Sequence, residues 1–114
     1  MGDGYFVKPA NAPQQQMIDR VQRRTMGTTD EAMLCEFFLE RGAVVPEHAH
    51  QNDQVGYVVY GEIQITIGGE TRTCHAGDSY AIPGGIAHSA RATKDTLLID
   101  VFSPPRKDFR TEAR

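Results

Sequence analysis

The hydrophobic positions of the chain fall in short runs of β-branched and aromatic residues, and glycine, proline, asparagine or aspartate bounds these runs. No apolar pattern of helical period is long enough to build a bundle. The predicted strands are Met33 to Leu39, Val44-Val45, Val55 to Tyr60, Ile63 to Ile67, Thr71 to Cys74, Tyr80 to Ile82 and Leu97 to Phe102. Short strands at such even spacing predict an all-β barrel or sandwich.

One pair of strands is predicted to form a hairpin. Ile63 to Ile67 alternates apolar and polar positions, Gly68-Gly69 supplies a two-residue turn, and Glu70 to Thr73 alternates again. The composition of Met33 to Leu39 would also permit a short helix, but Arg41-Gly42 ends the segment quickly, which favours a strand. Both segments therefore support the all-β interpretation.

Size and charge limit what the chain can bind. Its 114 residues are the usual size of one domain with one core and one cavity. A formal charge of -3 and a pI near 5.7 do not favour nucleic acid or an anionic membrane surface, since both attract a basic face. No leader pattern follows Met1 and no apolar run approaches ~20 residues, so we expect a cytoplasmic protein with a small polar ligand.

The pattern divides the chain into an N-terminal arm with the first strand or strands at residues 1–30, one domain at residues 31–110 and a tail at residues 111–114. We expect Pro9 to Gln16 to be mobile or draped over the surface, where a partner subunit would complete it. Cys35 and Cys74 lie far apart in no metal-type pair, so buried free thiols are expected rather than a disulfide.

Three of the four histidines lie in two short segments. In His48-Ala49-His50 both imidazoles would project from one face of a strand, because side chains two residues apart point the same way. Gln54 follows four residues later, and His88 completes the group. Imidazole nitrogens and an amide oxygen suit a borderline divalent metal. We therefore predict one divalent transition metal (nickel, zinc, iron or manganese) bound by His48, His50, His88 and Gln54.

Each of these residues also has a simpler interpretation. The three histidines would otherwise be ordinary surface or core residues, which their joint spacing argues against. Gln54 lies in a polar turn, where a glutamine is commonly only solvated. The fourth histidine, His75, has no partner at matching spacing and is expected to be a solvated loop residue.

The last predicted strand carries a second group of polar residues. Leu98, Asp100 and Phe102 share one face of it, so Asp100 points into the barrel if its two apolar neighbours do. Burial would raise the pKa of this carboxyl and a nearby cation would lower it, and such a group can exchange protons. Arg106 follows Ser103-Pro104-Pro105, and its planar guanidinium is suited to bind a carboxylate.

The alternatives for this group are structural. Asp100 would be a residue at the barrel rim that hydrogen-bonds a loop. Arg106 would form a surface or interface salt bridge. Phe102 would pack in the core rather than stack on a substrate.

The spacing of the histidines resembles the two motifs of the cupin family. The first motif is matched by Gly42, His48-Ala49-His50, Gln54 and Gly61, and the second by Gly77, Pro83-Gly84-Gly85 and His88. The chain departs from the family pattern at Gln54, where glutamate is usual, and at Ala92, where asparagine is usual. The resemblance implies that residues 31–110 are a single cupin domain, a double-stranded β-barrel or jelly roll. Cupins of this size commonly pair, so a homodimer is expected.

The C-terminal segment narrows the resemblance. Asp100 to Phe109, taken together with Gln54, resembles the KdgF family of small cupins, which linearise 4,5-unsaturated monouronates in pectin and alginate breakdown. The resemblance implies that Asp100, Phe102 and Arg106 act at the sugar. It also agrees with a neutral set of metal ligands, which leaves the full charge of the ion to attract an anionic substrate.

Other functions remain open from the sequence. One is a cupin dioxygenase in which three histidines hold iron and leave positions for substrate and oxygen. Others are a polyketide-cyclase-like cupin and a non-catalytic sugar- or effector-binding cupin. Each of these functions uses the same barrel and differs only in the chemistry of the cavity.

Overall fold

The computed structural model describes residues 4–110, and within this range the chain is almost entirely strands. The predicted tail at residues 111–114 and the first three residues lie outside it. The strands are β1 (Gln15–Ile18), β2 (Val21–Thr28), β3 (Met33–Leu39), β4 (Val44–His48), β5 (Asp53–Tyr60), β6 (Glu62–Ile67), β7 (Glu70–His75), β8 (Ser79–Ile82), β9 (His88–Ala92) and β10 (Thr96–Ser103). Two short 3-10 turns, Pro9–Asn11 and Lys107–Phe109, flank them.

The strands form two antiparallel sheets. One has the order β1-β2-β3-β10-β5-β8, and the other has the order β4-β9-β6-β7. Consecutive strands repeatedly change sheet, as in a jelly roll. The all-β prediction is confirmed, and each predicted strand is present, including Met33–Leu39.

The predicted hairpin is the β6–β7 pair, whose register runs from Ile67 opposite Glu70 to Glu62 opposite His75. Its turn places Gly68 at φ 56° and Gly69 at φ 85°. Positive φ at both central residues gives the turn the twist that matches its two strands, and glycine adopts this conformation without strain.

Alternation along the strands places apolar side chains between the two sheets. In β10, Leu98, Asp100 and Phe102 are buried while Leu97 and Ile99 are only partly so, as the pattern predicts. One core cluster is centred on Val58, Ile63 and Leu39, and a second contains Met33, Cys35, Phe102 and Phe109. Both cysteines are buried free thiols, as expected.

The N-terminal segment is attached to this body. Ala12 is buried, and the guanidinium of Arg24 donates to its carbonyl oxygen at 2.6 Å. β1 then pairs with β2 and extends the larger sheet. Within residues 4–110 no helix is both long and apolar enough to cross a membrane.

Candidate metal centre

The structure brings His48, His50 and His88 together where β4 pairs with β9. His48 ends β4 and lies directly opposite His88, the first residue of β9. His50 lies just beyond the end of β4 rather than on the strand, but its ring still turns toward the other two. One ligand atom from each histidine lies within 4.8 Å of the others. The sequence therefore identified a real cluster.

The hydrogen bonds of the Nδ1 atoms fix the tautomer of all three rings. His48 Nδ1 lies 2.9 Å from the Pro46 carbonyl, His50 Nδ1 lies 3.0 Å from that of Asn52, and His88 Nδ1 lies 2.9 Å from that of Ile86. A carbonyl oxygen only accepts, so each Nδ1 donates. In a neutral imidazole the Nε2 atom then carries the free lone pair, which is the atom that ligates a metal.

The surroundings favour neutral rings. Burial lowers the pKa of both His50 and His88, and the nearby charge of Arg106 acts in the same direction. Among the residues described, His88 Nε2 is buried and has no hydrogen-bond partner. A buried lone pair without a partner is costly, and a metal ion held by the three Nε2 atoms would satisfy it.

Gln54 contributes an oxygen to the same space. Its Oε1 atom lies 3.1 Å from His50 Nε2. Both atoms are acceptors when His50 donates through Nδ1, so their approach fits a cation bound between them. Gln54 lines the same cavity as Asp100, and hydrogen bonding from its side chain lowers the pKa of that carboxyl. The residues present therefore fit a divalent metal with three nitrogen ligands and one oxygen ligand.

Asp100 is buried next to this cluster, with 2% of its surface exposed. Its Oδ1 atom accepts a hydrogen bond of 2.7 Å from the Tyr80 hydroxyl. Burial raises its pKa to about 6, while the bonds from Tyr80 and Gln54 act in the opposite direction. Its partners are side chains of the cavity wall, which does not match the alternative of a rim residue bonded to a loop.

Tyr80 was not identified as a site residue from the sequence. It appears there only as the start of a short strand. The available signal was Gly56, a glycine inside a predicted strand, since such a glycine often marks the close approach of another group. That signal does not say which group approaches.

Arg106 and Phe102 also line the cavity. The guanidinium of Arg106 lies 4.3 Å from the ring centre of Phe109 and 5.5 Å from that of Phe102, and it forms an ion pair of 3.2 Å with the exposed Asp108. Phe102 is fully buried and its ring contacts that of His50 at 5.9 Å between centroids. Arg106 thus lies at the cavity, as predicted, and also forms a surface salt bridge, which was the alternative interpretation. Phe102 packs in the core beside the site.

With the exception of His50, these groups line one cavity of about 390 Å³. The polar side chains on its wall include His48, His88, Gln54, Asp100 and Arg106, and most of the other lining side chains are apolar. A volume of this size accommodates a small molecule. His75 lies outside it, exposed at the end of β7, where its Nε2 atom is 3.2 Å from Glu62.

Comparison with known proteins agrees with this geometry. The cupin domain model matches residues 36–102. The pectin degradation protein KdgF of Dickeya dadantii is 31% identical over 107 residues, which cover 92% of this chain and 96% of that protein. The structure of KdgF from Halomonas sp. superimposes with a TM-score of 0.87 at 34% identity, covering 92% of this chain and 97% of the other.

A third similar protein is an RmlC-like cupin from Shewanella frigidimarina, whose crystal structure superimposes with a TM-score of 0.89 at 32% identity. The superposition covers 93% of this chain and 96% of that one. The predicted jelly-roll fold is therefore confirmed over nearly the full length. On the motif match, the full-length relatives and the fold, this chain belongs to the cupin family.

Proposed function

We propose that this protein binds one divalent metal through His48, His50, His88 and Gln54 and linearises 4,5-unsaturated monouronates to open-chain keto acids. The observation that carries the proposal is a buried carboxyl, Asp100, held by the Tyr80 hydroxyl at 2.7 Å on the wall of the same cavity as Gln54 and two of the three converging histidines. The similarity to two KdgF proteins over more than nine-tenths of the chain supports the same substrate class.

The substrate carboxylate would be bound in the cavity by Arg106 and the metal. A bound divalent ion supplies Lewis-acid polarisation of substrate oxygens there. Arg106 lines the cavity, and its stacking on Phe109 restricts the directions that its guanidinium can take. A guanidinium fixed in this way offers two parallel N–H donors to a carboxylate, which orients the sugar ring.

Asp100 would then deliver a proton to C4 of the enol-ether double bond. Water adds at C5 as the C4–C5 double bond becomes single, and the proton that water loses restores the carboxyl group. The resulting hemiketal opens when the bond from C5 to the ring oxygen breaks: the C5 hydroxyl loses its proton to become the ketone, and the ring oxygen takes up a proton in its place. The product is an open-chain acid with a ketone at C5. Proton delivery by one positioned group is typically worth ~10²–10⁴-fold in rate.

The test uses the ultraviolet absorbance of the substrate. An unsaturated uronate has a double bond conjugated with its carboxylate, and the band disappears when C4 gains a proton. Purified protein is expected to bleach this band faster than the spontaneous reaction, and chelator-treated protein is expected to do so much more slowly. If the metal-loaded protein bleaches neither pectin-derived nor alginate-derived unsaturated uronates, the substrate assignment is wrong.

Arg106→Ala is expected to raise KM by about 10–100-fold, because a hydrogen bond to a charged group contributes about 1.5–3 kcal/mol. Its kcat should fall only if the misplaced carboxylate also moves C4 away from Asp100. Steady-state kinetics on the uronate measure both constants. Lys107→Ala is the matched control, since Lys107 is exposed in the adjacent 3-10 turn and does not line the cavity. An unchanged KM in Arg106→Ala would show that Arg106 does not bind the substrate carboxylate and only forms the ion pair with Asp108.

A further inference from the structure

Three residues form one row across the larger sheet. β5 lies between β10 and β8, and its Gly56 is paired with Asp100 on one side and with Tyr80 on the other. Residues paired across neighbouring strands project to the same face of a sheet. Asp100 and Tyr80 therefore both face the cavity, and both line it.

Tyr80 reaches Asp100 across the intervening strand. Neighbouring strands lie ~4.8 Å apart, so the two residues are separated by roughly twice that distance. The tyrosine side chain spans it, and its hydroxyl donates to Asp100 Oδ1 at 2.7 Å. Burial and the carboxylate raise the pKa of Tyr80 well above its usual value, so the phenol stays protonated and remains a donor.

Gly56 is what makes this contact sterically allowed. A Cβ atom at this position would lie 2.2 Å from Asp100 Oδ1, 2.2 Å from Tyr80 Cζ and 2.3 Å from the Tyr80 hydroxyl oxygen. All three distances are far inside van der Waals contact. Any other residue at position 56 would therefore displace the tyrosine, the aspartate or both.

Gln54 connects these three residues to the metal centre. Gln54 lies two residues before Gly56 on β5, so the two share the inner face. Gln54 and Asp100 line the same cavity, and hydrogen bonding from Gln54 lowers the pKa of the Asp100 carboxyl. Only the NH₂ group of an amide can donate to a carboxylate. The amide oxygen is thereby left facing His50 Nε2, at 3.1 Å.

We propose that Tyr80 and Gly56 are positioning residues for the metal centre: Tyr80, lying over Gly56, holds Asp100, and Asp100 holds the Gln54 amide with its oxygen toward the three histidines. Without this anchor the amide would rotate between two orientations of nearly equal shape, one of which presents NH₂ to the metal. The inference rests on the metal centre proposed above and on no particular substrate.

The test measures the affinity for Zn²⁺ by competition with a chromogenic chelator. Tyr80→Phe removes only the hydroxyl and should weaken Zn²⁺ binding by about 10-fold, the lower end for loss of a group that supports a ligand. Gly56→Ala should weaken it at least as much. The matched control is Tyr57→Phe, because Tyr57 neighbours Gly56 on the same strand but points outward and is 48% exposed. Its Zn²⁺ affinity should equal that of the wild type.

A second comparison separates positioning from general loosening of the fold. In a Gln54→Ala background, Tyr80→Phe should change Zn²⁺ affinity less than about 2-fold, since the ligand on which Tyr80 acts is absent. An equal loss in both backgrounds, or unchanged affinity in Tyr80→Phe, overturns the inference. A wild-type protein that binds no Zn²⁺ overturns the metal centre and this inference together. A wild-type protein that binds Zn²⁺ but is inert on uronates overturns the proposed substrate alone.

Discussion

Replacing Asp100 with asparagine is expected to lower kcat on an unsaturated uronate by ~10²–10⁴-fold, because asparagine has no exchangeable acid proton to deliver to C4. Asp100 is the buried carboxyl beside the converging histidines, with 2% of its surface exposed. Its shape is retained by the variant, and the bond from the Tyr80 hydroxyl can still be accepted. The loss should therefore appear in kcat much more than in KM.

The measurement must separate proton delivery from metal binding. The Gln54 amide donates to Asp100, so the NH₂ group of an asparagine would face another NH₂ group and would disturb the metal ligand. The variant is therefore assayed at saturating metal, with metal content measured on the same sample. Full activity of metal-loaded Asp100→Asn would exclude the proton-donor role and leave the substrate assignment intact.

The double variant His48→Ala/His50→Ala is expected to lose the metal and the metal-dependent activity. Wild-type protein should carry close to one divalent ion per chain, because ligand atoms of three histidines converge within 4.8 Å and Nδ1 of each ring is held by a backbone carbonyl. Two of the three nitrogen ligands are removed in this variant. Elemental analysis of purified protein measures the occupancy directly.

His75→Ala is the matched control for this experiment. His75 is the only other histidine of the chain, and it is exposed and paired with Glu62 away from the cavity. Its removal should leave the metal content and the bleaching rate at wild-type values. Full metal occupancy in the double variant would show that the ion binds elsewhere.

The sequence by itself determined the strands and the direction in which their side chains point. Alternation of apolar and polar residues has a period of two on a strand, so the burial of Asp100 with Leu98 and Phe102 followed from β10 alone. The spacing of His48, His50 and His88 matched a known pair of motifs, and the structure places their nitrogens within 4.8 Å. These features depend only on the order and spacing of residues that are close together in the sequence.

The tertiary structure alone decided which inward-facing residues touch. Tyr80 and Asp100 are 20 residues apart and meet because the order β10-β5-β8 places Gly56 between them. Arg106 takes its direction from the ring of Phe109, whose carbonyl oxygen accepts a hydrogen bond from Thr25, 84 residues earlier in the chain. Periodicity tells which face a side chain takes, but its neighbours on that face are set by strand order and register, which depend on how distant segments pack together.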